Sequence, residues 1–175
     1  MSKDSVSDRK YHIEAYNPDW AERFLEYKEK IQAIFPEAII EHFGSTSVPG
    51  MSSKPIIDVL VIVSDISLVD EHSHEIEQMG FTNFGEYVMK DSRLFRDQKN
   101  DVFFANIHFF PVGHPHIGEM LGLRDYLRSH PGVVNDYSRK KLELFAKYPN
   151  NYVAYRQEKD AYLDELKKNI FSINK

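Results

Sequence analysis

Apolar residues recur at steps of four, three, four and three through Trp20, Phe24, Tyr27, Ile31 and Ile34, which is the repeat of one helix face. Asn17-Pro18 precedes them as a capping side chain and a first-turn proline, and Pro36 closes the run. The next apolar segments have a different period. Ala38 to Phe43 is short and mostly apolar, and Pro55 to Val63 is rich in β-branched residues without polar alternation. Both predict strands, the second buried on both faces. Ser67 to Met79 predicts a helix with Leu68, Ile76 and Met79 inward and a stop at Gly80. Arg93 to Asp97 and Val102 to Phe110, separated by Gln98-Lys99-Asn100-Asp101, predict a hairpin. From His116 onward the period is helical. Leu123, Tyr126 and Leu127 mark one helix, closed by His130-Pro131-Gly132. Val134, Tyr137, Leu142 and Phe145 mark a looser second one. Tyr152, Tyr155, Tyr162, Leu163, Leu166 and Ile170 mark a third. Strands first and helices afterwards predict an α+β fold with a helical C-terminal half spanning 116–175, within one domain of 175 residues.

Composition narrows the chemistry. Twenty-two basic residues against 27 acidic ones leave a net charge of −5, which argues against a surface that coats nucleic acid, because affinity for a phosphate backbone comes from clustered Lys and Arg. Cysteine is absent, so disulfides, thiolate zinc sites and cysteine nucleophiles are excluded. The longest apolar run, Val59 to Val63, is far short of the roughly 20 residues that span a bilayer. Residues 1–10, MSKDSVSDRK, are charged and lack an apolar region, so they read as a frayed tail and not as a secretory signal. A cytoplasmic protein is the expectation.

Between two predicted strands lies Gly44-Ser45-Thr46-Ser47-Val48-Pro49-Gly50-Met51-Ser52-Ser53-Lys54. Pro49, Gly50 and Pro55 forbid a long helix, so many of its amides must find partners outside a regular ladder. Such a loop holds phosphate through amides, hydroxyls and the Lys54 ammonium. It is no triphosphatase P-loop, because G-x-x-x-x-G-K-[ST] counted from Gly44 requires Gly at 49 and Lys at 50, where Pro49 and Gly50 stand. Asp58 interrupts the apolar strand that follows. A buried carboxylate needs a cation or donors; a metal, Lys54 and a loop hydroxyl are the candidates. In the strand Val102 to Phe110, Phe103, Ala105, Ile107 and Phe109 form one apolar face, while Asn106 and His108 lie on the other. A site shared by Asp58, Asn106 and His108 on one sheet face accounts for all three. The pairs His72/His74 and His114/His116 lie in polar surroundings and are not assigned a metal.

EHFGSTSVPGMSSKPIIDVLV, the later NIHFF, and GLRDYLRSHP followed by a helical tail resemble the GrpB family, from about Tyr11 to the last helix. That family is placed in the polymerase-β-like nucleotidyltransferase superfamily, so the resemblance implies a nucleotidyltransferase-like mixed sheet with flanking helices. It assigns Gly44 and Ser45 to the phosphates of a nucleotide or small phosphorylated ligand, and Thr46, Ser47 and Lys54 of the same loop are the donors beside them on the residue reading above. Asp58 is assigned to a divalent ion, magnesium or manganese. His42 matches a family histidine before the Gly-Ser pair, and Arg93 and Arg96 match family arginines on the preceding strand; any of the three could face a bound anion, with surface ion pairing the alternative for the arginines. Two departures stand against the superfamily pattern. Leu60 occupies the place of the second carboxylate, and His108 that of the third. One aspartate with one histidine is a poor set for magnesium, which prefers oxygen ligands.

Three functions follow from these residues. The first is nucleotidyl transfer, with Asp58 and His108 as metal ligands, His108 alternatively as base, and Lys54 on the phosphates. The second is a binding or regulatory module that keeps the pocket and has lost the metal chemistry. The third is a metal-free hydrolase using Asp58 and His108, with Ser45 or Ser47 as nucleophile.

Overall fold

A computed structural model describes residues 10–87 and 89–172; the expected N-terminal tail lies almost wholly outside them. Asn17 Oδ1 accepts from the Asp19 amide at 3.0 Å and starts helix α1 (Asp19–Ile34). Strands β1 (Ile39–Phe43) and β2 (Ile57–Val63) pair antiparallel, joined by a loop containing the short 3₁₀ turn Ser45–Ser47. The expected helix 67–79 is two short ones, α2 (Ser67–Glu71) and α3 (Ser73–Gln78), separated at His72. Ile76 is buried there and Met79 is exposed, contrary to its expected inward position. Strand β3 (Phe81–Gly85) was not anticipated. Strands β4 (Arg93–Lys99) and β5 (Val102–Pro111) form the expected hairpin. Its turn residues Asn100 and Asp101 both have positive φ, 50° and 63°, as a two-residue type I′ turn requires. Helices α4 (Pro115–Ser129), α5 (Pro131–Lys147) and α6 (Tyr152–Ser172) complete the chain.

The sheet runs β1-β2-β5-β4-β3, mixed because β2 and β5 are parallel while the other pairs are antiparallel. A parallel pair needs a long crossover, which α2, α3, β3 and β4 supply. Strand periodicity then divides the side chains between two faces. Ile57, Val59, Val61, Ala105, Ile107, Phe109 and Phe95 pack with Trp20, Tyr27 and Ile31 of α1. On the opposite face Leu60, Ile62 and Phe110 pack with Ile117, Met120 and Leu121 of α4. β2 is therefore buried on both faces as expected, and Asp58 is its one half-buried residue.

The helical half also covers the serine-rich loop. Val48 and Met51 are buried with Leu127, Val134 and Tyr137, backed by Tyr162, Leu163 and Leu166. Arg128 donates to the Ser47 carbonyl through Nε at 3.0 Å and Nη2 at 2.8 Å. The sheet end carrying Asp58, the serine-rich loop and the α5–α6 pair thus bound the candidate cleft. Among the described residues no helix is long and apolar enough to cross a membrane.

Candidate functional site

Asp58 lies on the sheet face that carries Leu60, at the end α4 leaves open. Its register neighbours are Phe43 on β1 and Asn106 on β5. Asn106 Nδ2 donates to Asp58 Oδ1 at 2.9 Å, and Arg96 Nε donates to Asn106 Oδ1 at 3.2 Å. A donor to the carboxylate is thus an amide from the parallel neighbour, and Lys54, one of the three partners proposed from sequence, acts on it electrostatically. Arg96 is held over the rings of Phe84, Tyr87 and Phe103, at 4.5, 5.2 and 5.5 Å. Burial raises the Asp58 pKa above the usual carboxylate range, opposed by the Asn106 amide and by Lys54, Lys159 and Arg96. Water nevertheless reaches 27% of its side chain.

His108 follows two residues beyond Asn106 on the same face, and its Nε2 is 4.0 Å from Asp58 Oδ1. Burial, with Arg96 and His116 nearby, lowers its pKa to about 3. Asp58 and His108 therefore come together as a candidate ligand pair, with Oδ1 already engaged by Asn106. Among the described residues no group of three or more His, Asp or Glu side chains is placed to hold a metal ion. Leu60 is fully buried and packs with Phe110, so the second-carboxylate position is part of the apolar core. This donor set does not fit magnesium or manganese, which demand several oxygen ligands.

Gly44 turns the chain into the cleft with φ 72° and ψ −175°, a region essentially reserved for glycine. A Cβ built there would stand 2.4 Å from Asp58 Oδ2, so only glycine lets the loop pass over the carboxylate. The three hydroxyl residues that follow Gly44 then diverge. Ser45 Oγ faces Lys141. Thr46 is buried; its Oγ1 donates to the Ile56 carbonyl at 3.3 Å and meets His42 Nε2 at 3.0 Å. Ser47 Oγ donates to the Gly44 carbonyl at 2.7 Å. Thr46 and Ser47 thus hold the loop's shape, while Ser45 faces the cleft. The amides of Ser45 and Thr46 have no acceptor among the described residues.

His42 does not face the cleft either. It is buried, stacked on Phe24 at 4.8 Å. Burial, with Arg128 and Arg124 nearby, lowers its pKa to about 4. A histidine kept neutral in the fold takes up a proton on unfolding, so stability falls as pH drops from 6.5 toward that lowered value. His42→Phe keeps the stacking and removes this proton. In urea denaturation the variant is expected to gain on wild type as pH falls from 7 to about 4.5. Parallel curves would show that His42 is protonated in the fold. Asp58 and His108 are common to both proteins and cancel in the comparison.

Arg93 does not join the site. It pairs with Phe109, on the α1 face of the sheet, and its guanidinium is held by Asp70 through two 2.7 Å bonds. The predicted arginine pair is thereby divided, with Arg96 at the cleft and Arg93 behind the sheet.

Lys54 donates to Tyr152 Oη at 2.7 Å, placing its ammonium between the loop and α6. Beside it stands a residue that the sequence reading passed over. Lys141 of α5 is only 2% exposed. Its Nζ donates to Ser45 Oγ at 3.1 Å and lies 4.5 Å from the Tyr137 ring centroid. No carboxylate pairs with it among the described residues. Burial drives its pKa well below 10.5, and Lys159 and Lys54 push it further down. Lys159 of α6 is close enough to act on both Lys141 and Asp58. It also pairs with Asp160 at 2.6 Å. Three cations, Lys54, Arg96 and Lys159, act on the Asp58 carboxylate, and Lys141 stands beside two of them on Ser45.

The family model described as GrpB protein matches residues 10–169. The UPF0157 protein YqkA of Bacillus subtilis is 38% identical over 163 residues, covering 92% of this chain and 47% of its own length; this chain spans about half of that relative. A crystal structure of the conserved protein GrpB from Enterococcus faecalis superposes with a TM-score of 0.87 at 31% identity, covering 93% of this chain and 99% of that one. The Cid1 poly(U) polymerase, solved with MgGTP bound, superposes with a TM-score of 0.53 at 16% identity, covering 77% of this chain and 44% of its own. The nucleotidyltransferase-like fold implied by the loop and strand motifs is thus shared with a known transferase.

Proposed function

Since the chain belongs to the GrpB family, we propose that it binds a nucleotide, or another small phosphorylated ligand, between the Gly44 loop and α5–α6, as a binding module on a transferase-like fold. The observation that carries this reading is the Lys141 ammonium, buried without a carboxylate and directed at Ser45 Oγ. Protonation of this desolvated amine without a counter-ion is unfavourable in the empty protein, and an incoming phosphate stabilises the ammonium. Lys54 and the open Ser45 and Thr46 amides add donors on the same side. Arg96, held against Phe84 and Tyr87, adds a fixed cation on the Asp58 side. The Cid1 polymerase holds MgGTP on the same fold, and a nucleotide is the ligand class this suggests. Leu60 in the core and a lone Asp58 carboxylate support binding over transfer.

Equilibrium dialysis with labelled ATP, CTP, GTP and UTP tests the reading. Saturable binding is expected, weakened about tenfold or more in Lys54→Ala, since a charge-assisted hydrogen bond contributes about 1.5–3 kcal/mol. Pyrophosphate release, or label transferred to an acceptor, would replace the module with a transferase. No binding of any nucleotide would remove the proposal.

A further inference from the structure

We infer that the cleft takes its ligand as a metal-free oligophosphate, with the ammonium groups of Lys141, Lys54 and Lys159 standing where divalent ions would otherwise neutralise the charge. This rests on the phosphate-binding reading above and deepens it. Three observations converge. The donor set at Asp58 does not suit a hard divalent ion: one carboxylate oxygen is engaged by Asn106, the next strand position on that face is a core leucine, and the third is an imidazole. The cations that act on this carboxylate come from the loop, from β4 and from α6, and α5 adds Lys141 on the neighbouring Ser45, so the basic groups are built into four separate elements. Lys141 is the most buried of them and meets a hydroxyl, not an acid, so a proton on its amine has no carboxylate to balance it until an anion arrives.

Charge balance distinguishes this arrangement from a metal-dependent one. Where carboxylates line a site, a free triphosphate is repelled and the metal bridges the like charges. Where ammoniums line it, magnesium removes two negative charges from the ligand and competes with the lysines for the same oxygens. The sign of the magnesium effect on affinity is therefore reversed.

Isothermal titration with inorganic tripolyphosphate and with ATP, each in EDTA and in excess magnesium, tests the inference. Binding is expected to be tighter in EDTA by about tenfold, to rank tripolyphosphate above pyrophosphate above phosphate, and to fall about tenfold or more in Lys141→Met, as loss of a buried charge contact predicts. Lys159→Gln, at a less buried position, is a second variant expected to weaken binding in the same direction. Affinity that appears only with magnesium or manganese would overturn the metal-free inference and leave the phosphate site in place. Absence of binding by both probes in both conditions would overturn the phosphate site itself. Binding that is equal in wild type and both lysine variants would place the ligand elsewhere on the molecule.

Discussion

Lys141→Met will make the protein more stable and at the same time remove its affinity for phosphorylated ligands. Methionine has nearly the length of lysine and no charge to desolvate. It occupies the channel between Tyr137 and Ser45 without requiring a counter-ion. The position is 2% exposed and has no acidic partner among the described residues, so the substitution is expected to add roughly 1–3 kcal/mol, the range measured when buried polar or ionic groups are replaced by apolar ones of similar shape. The sign of its pH dependence follows from proton binding. The folded-state pKa lies well below 10.5, and between those two values the unfolded chain carries a proton that the folded lysine refuses. Wild-type stability therefore rises with pH across that window. The advantage of the methionine variant is largest below the window and shrinks as pH approaches 10.5. Guanidinium denaturation at several pH values, paired with ligand titration, reads both effects. A less stable variant with retained affinity would mean that Lys141 packs as a structural residue and takes no part in binding.

The contrast between Lys141 and the residues read correctly shows what the amino-acid pattern can carry. α1, β2 and the β4–β5 hairpin were legible because each rests on local periodicity or turn chemistry, from the Trp20–Ile34 stripe to the Asn100–Asp101 turn. The Gly44 loop and Asp58 were legible because a charge inside an apolar strand has few explanations. Lys141 lay in plain view at helical spacing from Val134, Tyr137, Ser138 and Leu144, all buried. An apolar pattern selects its neighbour Leu142 instead, which is exposed in the structure, because a buried lysine carries no apolar signal. Arg93 and Arg96 stand three apart on one strand, and a period of two puts them on opposite faces, so their separation was deducible once the strand was accepted. β3 was not deducible from periodicity. Of its five residues only Phe81 is fully buried, and it is a strand because β4 offers it a ladder. The Asn106 bond to Asp58 depends on the parallel register of β2 and β5, a long-range property that no local pattern contains.

Gly44→Ala is expected to cost about 3 kcal/mol or more of stability and to remove ligand binding, through two separable effects. The first is conformational. A φ of 72° with ψ near 180° is closed to alanine without strain of about 1–3 kcal/mol. The second is steric. The new methyl group would stand 2.4 Å from Asp58 Oδ2 and 3.1 Å from its Cβ. Asp58 has little room to retreat, since Asn106 holds its Oδ1 and Arg96 backs Asn106. The loop must lift instead, which displaces Ser45 from Lys141. A double-mutant cycle with Asp58→Ala separates the terms. In the Asp58→Ala background the carboxylate oxygens are gone and the steric part falls, while the conformational part stays. The alanine at 44 is then expected to cost less than in wild type by about 1 kcal/mol or more, a coupling typical of contacting residues. If the two substitutions were additive, the loop would not lie against Asp58, and the cleft in which both meet a common ligand would have to be redrawn.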